Sequence, residues 1–368
     1  MSQINKIIEE MTLEEKASLC SGGDFWHLKG VGRLGIPEIM VADGPHGLRK
    51  QDEAADHLGL NDSIQAVCFP AAAGMAASFD RTLYRRVGET LGEECQAEQV
   101  AVLLGPAVNI KRSPLCGRNF EYMSEDPYLS GELAAAYIEG VQSKHIGTSI
   151  KHYAGNNQEK RRSNVSSEIS ERALREIYLP AFETAVKKAQ PWTVMCSYNR
   201  INGEYVSQSR KLLTDILRKQ WGFQGFVMTD WGACDDRVAG LLAGQDLEMP
   251  SSDGVNDRKI VEAVKNGEIE ETVLDIAVRR ILEKIFEYTG HVDRKAVFDR
   301  GEHHEFAAET ACETMVLLKN ETQLLPLGKK KNYVFIGEFA KKPRYQGGGS
   351  SHINAYRLEN AYEEAKKY

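Results

Sequence analysis

No apolar run in this 368-residue chain approaches the roughly 20 residues that a bilayer-spanning helix needs. The opening residues, Met1-Ser2-Gln3-Ile4-Asn5-Lys6, lack the apolar core of a signal peptide. Basic blocks are equally scarce. The short Lys329-Lys330-Lys331 run reads as a solvated loop, and the formal net charge is -7, which argues against nucleic acid as a partner. The seven cysteines are scattered and odd in number, with no Cys-x-x-Cys pair. That spacing disfavours a disulfide framework and a metal cluster, and it suits a reducing compartment. No glycine-rich phosphate fingerprint follows a strand, and Gly347-Gly348-Gly349 does not qualify as one. The expectation is a cytoplasmic protein with no metal, no cofactor, and no membrane or nucleic-acid partner.

What the chain does have is an ordinary globular composition, 42% hydrophobic and 27% charged. Short apolar strands alternate with helices. Thr12-Leu13-Glu14-Glu15 is a capping box that opens a helix to about Leu19. Asp80 caps a helix to about Gln96, with Leu83, Val87 and Leu91 on one face. Further helices are predicted from about Pro127 to Ser143, Ser170 to Lys188, Arg210 to Trp221 and Asp235 to Ala243. Strand candidates lie at 36–42, 100–104, 148–150, 192–196, 226–229 and 246–249. Phe25, Trp26 and His27 read as a packing loop, and 50–65 as a loose polar one. Such alternation predicts βα units around a parallel sheet. Without a nucleotide fingerprint, an α/β fold of the (β/α)8, TIM-like type is the better choice over an open sheet.

The barrel is expected over residues 1–292. Residues 293–368 read as a linker and the incomplete first part of a second α/β domain. That part comprises a helix from about His303 to Asn320, a strand at Tyr333–Ile336, and a helix ending at Tyr368. It is too short to bury a core of its own. The rest is expected from beyond Tyr368 or from a second chain.

Chemistry-bearing residues recur where strands end. Gly225-Phe226-Val227-Met228-Thr229-Asp230-Trp231-Gly232 is a buried strand closing on a carboxylate and an indole. In a parallel barrel that edge carries the chemistry. A carboxylate can meet developing positive charge on a sugar, and a flat ring can stack on a pyranose face. The same octapeptide also reads as a helix-capping Asp followed by a packing Trp. Asp43 ends another strand and faces Arg49 across a Gly-Pro-x-Gly turn. Lys151-His152-Tyr153 and Ser197-Tyr198-Asn199 end two more. Between 105 and 126 runs a long loop containing Arg118 and Glu121, and long ordered loops usually carry function.

Five segments in order complete a pattern: Ala42-Asp43-Gly44-Pro45-His46-Gly47-Leu48-Arg49, Cys116-Gly117-Arg118-Asn119-Phe120-Glu121, Lys151-His152-Tyr153, Ser197-Tyr198-Asn199 and Val227-Met228-Thr229-Asp230-Trp231. On these, the chain resembles glycoside hydrolase family 3, in its β-glucosidase branch. The resemblance implies retaining hydrolysis that removes terminal β-D-glucosyl residues from β-glucosides or short oligosaccharides. Asp230 matches the nucleophile. Asp43, Arg49, Arg118, Lys151, His152 and Tyr198 match the residues that hold the sugar. Trp231 matches an aromatic at the next subsite, and Met195 lines the same pocket.

In the N-acetylglucosaminidase branch a His-Asp acid/base pair follows the Lys-His pair. Here that loop reads Ala154-Gly155-Asn156-Asn157-Gln158-Glu159 and carries neither. The glucosidase branch takes its acid/base Glu from further along, so the resemblance places it past Tyr368 or on a partner chain. Glu121 and Glu159 are nearby carboxylates, but no motif makes either one the acid. The alternative reading is a sugar-binding protein or subunit whose turnover is impaired.

Overall fold

The computed structural model describes residues 3–367 except 53, 54, 57–59 and 330. At its centre six strands lie in the spatial order His27–Leu28, Ile39–Asp43, Val100–Leu104, Gly147–Tyr153, Thr193–Cys196 and Phe226–Thr229. The first pair is antiparallel and the others are parallel. Single-residue bridges carry the sheet onward, from Met228 to Leu247, from Ser21 to Glu248 and from Gly22 to Leu28. The sheet thereby curls into a TIM-like barrel and leaves no free edge. The five longer strands are buried along their whole length, which is why they read as unbroken apolar runs.

The stretch 246–249, expected as a strand, joins the ring by these bridges rather than by a ladder. Charged groups hold it instead. The buried Arg237 guanidinium donates to Cys20 O at 3.2 Å, Gln245 O at 3.2 Å and Asp246 O at 2.9 Å. The Asp246 carboxylate accepts from Arg218 at 2.5 Å, Arg280 at 2.9 Å and the Val227 N–H at 2.7 Å. A buried carboxylate with three charged or backbone donors is fully compensated.

The helices start where their caps predict. Thr12 and Glu15 exchange both capping-box hydrogen bonds, at 3.2 and 2.9 Å. Asp80 caps Arg81–Ala97, and Asp126 caps Pro127–Gln142. These two helices cross in backbone contact. A Cβ on Gly88 would lie 2.4 Å from Tyr137 O, and one on Gly140 only 2.1 Å from Arg85 O. Only glycine fits at either position.

Several expectations need correction. His27–Leu28, read as loop, is a barrel strand, because its backbone pairs with Met40 and Ile39. The single helix expected over 170–188 is broken. Glu171–Ala173 continues as a wider turn over Leu174–Tyr178, and Pro180–Ala189 follows. Pro180 has no N–H to donate, and Leu179 N reaches back five residues to Leu174 O at 3.0 Å. Among the described residues of the loop expected at 50–65, Asp56 N donates to Gln51 Oε1 at 3.0 Å and Asn61 N to Asp56 Oδ2 at 2.7 Å. The helix expected to reach Asn320 is Arg300–Glu313. Beyond it Val316 and Leu318 are exposed, so no apolar face is buried to sustain more turns. Tyr333–Ile336 is not a strand, because no described segment pairs with it. The last helix is Ala361–Ala365; Tyr368 and Lys330 lie outside the described residues, as do Met1 and Ser2. No helix among the described residues is long and apolar enough to cross a membrane.

Candidate active site

The parallel strands end around a shared cavity. Asp43 terminates Ile39–Asp43, Leu104 terminates Val100–Leu104, and Met195 belongs to Thr193–Cys196. Asp230 and Trp231 follow Phe226–Thr229, as expected. Lys151 and His152 both line the cavity although they are adjacent. In a regular strand neighbours face opposite ways. The pairing register shifts between Ile150 and Tyr153, and the alternation is lost there.

Asp230 is 8% exposed. Its Oδ1 accepts from the Trp231 N–H at 2.8 Å. Its Oδ2 is buried and has no hydrogen-bond partner among the described residues. That oxygen lies 3.7 Å from His152 Nε2. Asp43 is committed differently. Its Oδ1 receives the Lys151 ammonium at 2.6 Å, with both side chains buried.

Arg118 donates through one nitrogen to Glu121 Oε1 at 2.6 Å and to His152 Nε2 at 2.9 Å. Burial disfavours its charge, but Glu121, Tyr122, Asp230 and Glu159 outweigh that and hold it well above the ordinary arginine range. An arginine can only donate. His152 Nε2 therefore accepts and carries no proton, and the proton sits on Nδ1, facing Asn109 Oδ1 at 3.4 Å. Burial, then the charges of Arg118, Lys151 and Arg162, push this imidazole well below the usual histidine range. His152 is thus neutral, and its approach to Asp230 is not an ion pair.

This has a measurable consequence. The unfolded chain's imidazole takes up a proton near pH 6.5, whereas the folded one does not. The unfolded state then binds more protons, so stability falls as pH drops below about 6.5. The contribution approaches roughly 1.4 kcal/mol per pH unit for one such group. Urea unfolding at pH 5.0 to 6.5 should show a shallower pH slope in His152→Asn than in the wild type. An unchanged slope would mean that His152 titrates normally.

Tyr198 donates its hydroxyl to Trp231 O at 2.9 Å. Burial, and then the Asp230 charge, push its phenol above the ordinary range, so it stays a donor. The Trp231 indole N–H is held by Phe25 O at 2.8 Å, and its ring centroid lies 5.3 Å from that of Trp26. Trp26, read as a packing residue, also lines the cavity.

One predicted residue is not brought in. The Arg49 side chain is buried but does not line the cavity. It donates to Asp56 O at 3.0 Å and faces the 50–61 loop. Four lining residues were not among the predicted site residues: Trp26, Leu104, Arg162 and Ser350. Arg162 stacks over the Tyr198 ring at 4.3 Å and pairs with Glu159 at 2.8 Å. Only the Lys160-Arg161-Arg162 cluster could have drawn attention to it. Ser350 arrives from well beyond the last barrel strand, with no local signal beyond its glycine run.

Residues 31–284 match the glycosyl hydrolase family 3 N terminal domain, and residues 315–368 match the C-terminal domain of the same family. The chain is 61% identical over 364 residues to thermostable beta-glucosidase B of Acetivibrio thermocellus, covering 99% of this chain and 48% of that protein. It is 53% identical over 363 residues to an exo-alpha-(1->6)-L-arabinopyranosidase of Bifidobacterium breve, covering 95% and 48%. Its structure superposes on beta-glucosidase 3B of Thermotoga neapolitana in complex with alpha-D-glucose, with a TM-score of 0.92 at 39% identity, covering 100% of this chain and 54% of that one. The chain spans about half the length of the curated relatives it matches.

Proposed function

The chain belongs to glycosyl hydrolase family 3, and from that membership we propose that it carries the sugar-holding and nucleophilic part of a retaining β-glucosidase. The observation behind this is Asp230 Oδ2, a buried carboxylate oxygen with no partner among the described residues, in a cavity lined by Arg118, Lys151 and neutral His152. Folding does not leave such an oxygen unpaired without cost. A substrate carbon that becomes positive is a fitting recipient.

Asp230 Oδ2 attacks the anomeric carbon, the glycosidic bond breaks, and a glycosyl ester forms on the carboxylate. Water then releases the sugar. The Lys151–Asp43 pair and Arg118 offer charged partners to ring hydroxyls, and contacts that tighten in the transition state speed the step. Trp231 and Trp26 supply the apolar wall.

Among the described residues, Asp43 and Asp230 are the only carboxylates lining the cavity. Asp43 is bound to Lys151, Glu121 to Arg118 and Glu159 to Arg162. The general acid is therefore proposed to come from the portion of the relatives' length that this chain does not match, whether further along the same polypeptide or on a second one. The same observation favours a second reading, a subunit that binds sugar and turns it over only when so completed.

The test is intact-protein mass spectrometry after incubation with dinitrophenyl 2-fluoro-glycosides of β-D-glucose and α-L-arabinopyranose. Their leaving group needs little acid assistance. A mass gain mapped to Asp230 by the glucose reagent supports the proposal. Preference for the arabinose reagent would replace glucose as the substrate, and labelling elsewhere would remove Asp230 from the role.

A further inference from the structure

A strap of chain from the 315–368 region lies across the barrel's mouth. Asn354–Ala355 adds in parallel to Gln65–Ala66. Ile353 is fully buried in the barrel's core cluster. Gln346 clasps the strap's own backbone, donating to Ile353 O and accepting from Ile353 N, each at 2.8 Å. Gly347 lies so close to Phe120 that a Cβ there would come within 2.3 Å of the ring.

At the centre of the strap Ser351 is 1% exposed. Its hydroxyl donates to Glu121 Oε2 at 2.5 Å. Glu121, also 1% exposed, uses its other oxygen for Arg118 at 2.6 Å. Arg118 in turn donates to His152 Nε2 at 2.9 Å, and that nitrogen is 3.7 Å from Asp230 Oδ2. Hydrogen bonds therefore run without a break from the strap to His152, whose Nε2 stands beside the Asp230 carboxylate without bonding to it.

We infer that Ser351 and Glu121 are positioning residues, which act through Arg118 so that docking of the strap sets the sugar clamp. The inference rests on the sugar-binding reading given above. Glu121 touches no open part of the cavity, so it works through the guanidinium rather than on substrate. It also supplies the negative charge that Arg118 needs once it is buried. Without Ser351, Glu121 Oε2 loses its donor and the carboxylate is free to rotate. Arg118 then loses its fixed orientation. Docking of the 345–356 strap and ordering of the clamp are one event, so sugar affinity depends on a segment that supplies Ser350 as its only wall residue.

Calorimetric titration with 1-deoxynojirimycin and with L-arabinose, on the full chain, tests this. Ser351→Ala is expected to bind the preferred sugar about tenfold more weakly, the size expected of one charge-assisted hydrogen bond, while the melting temperature falls by only about 2–4 °C. Glu121→Gln can still accept from Arg118 and should keep more affinity than Glu121→Ala. Equal binding by Ser351→Ala and wild type overturns the inference. So does a loss of affinity that only follows a loss of melting temperature, or identical behaviour of the two Glu121 variants. Should the wild type bind neither sugar, the sugar-site reading fails, and the inference with it.

Discussion

Asp230→Asn is expected to slow phenolate release from an activated aryl glycoside by about four orders of magnitude or more, the scale seen when a nucleophilic residue is removed. Sugar affinity should change only a few-fold. The amide is isosteric and can keep the bond that Asp230 Oδ1 accepts from the Trp231 N–H. It cannot form the glycosyl ester. Asp230→Gly adds a positive control. Azide can occupy the vacated space and attack from the same side, so that variant should yield an α-glycosyl azide by a single inversion. Release at the wild-type rate in Asp230→Asn, or no azide adduct in Asp230→Gly, would place the nucleophile elsewhere.

Lys151→Met should cost stability and binding together. The Lys151 ammonium and Asp43 carboxylate lie 2.6 Å apart and are both buried. Removing one member leaves a buried charge without its partner, which typically costs about 3–5 kcal/mol. Replacing both with neutral groups is far cheaper. Asp43→Asn/Lys151→Met should therefore recover much of the lost stability, while sugar binding stays weak because both hydroxyl partners are gone. Denaturant titration separates the two effects. If the double variant is no more stable than Lys151→Met, the pair is not coupled as its geometry implies.

The barrel was legible because buried parallel strands leave a plain mark, as in Val100–Leu104 and Phe226–Thr229. The gathering of candidate residues at strand ends was legible for the same reason: Asp43, Lys151, His152, Met195, Tyr198, Asp230 and Trp231 all line the cavity. Arg118 comes from an irregular loop and was placed by motif alone. Where the structure differs from the reading, the causes are physical. His27–Leu28 is a two-residue strand whose pairing depends on Ile39 and Met40, and no local pattern encodes a partner. Arg49 matched a motif, yet its guanidinium is drawn to Asp56. Ser350 enters on the chain's return path and Trp26 from just before the first strand, and a reading of local periodicity sees neither.

The barrel's closure has a mechanical side. From Phe226–Thr229 round to His27–Leu28 the ring is joined by lone bridges, whereas elsewhere it is joined by ladders. That arc is a seam, with Arg237 as its rivet between Cys20 O and Asp246 O. Trp231 sits on one lip of the seam and Trp26 on the other, and their contact bridges it. Breathing of the barrel is therefore concentrated beneath the aromatic wall, not beneath the Lys151–Asp43 clamp. Amides near Gly22, Leu247 and Glu248 should exchange with solvent before those of Val102 or Val194. The half of the cavity walled by Trp231 and Trp26 is then its compliant half, and the half built on Lys151 and Asp43 is stiff.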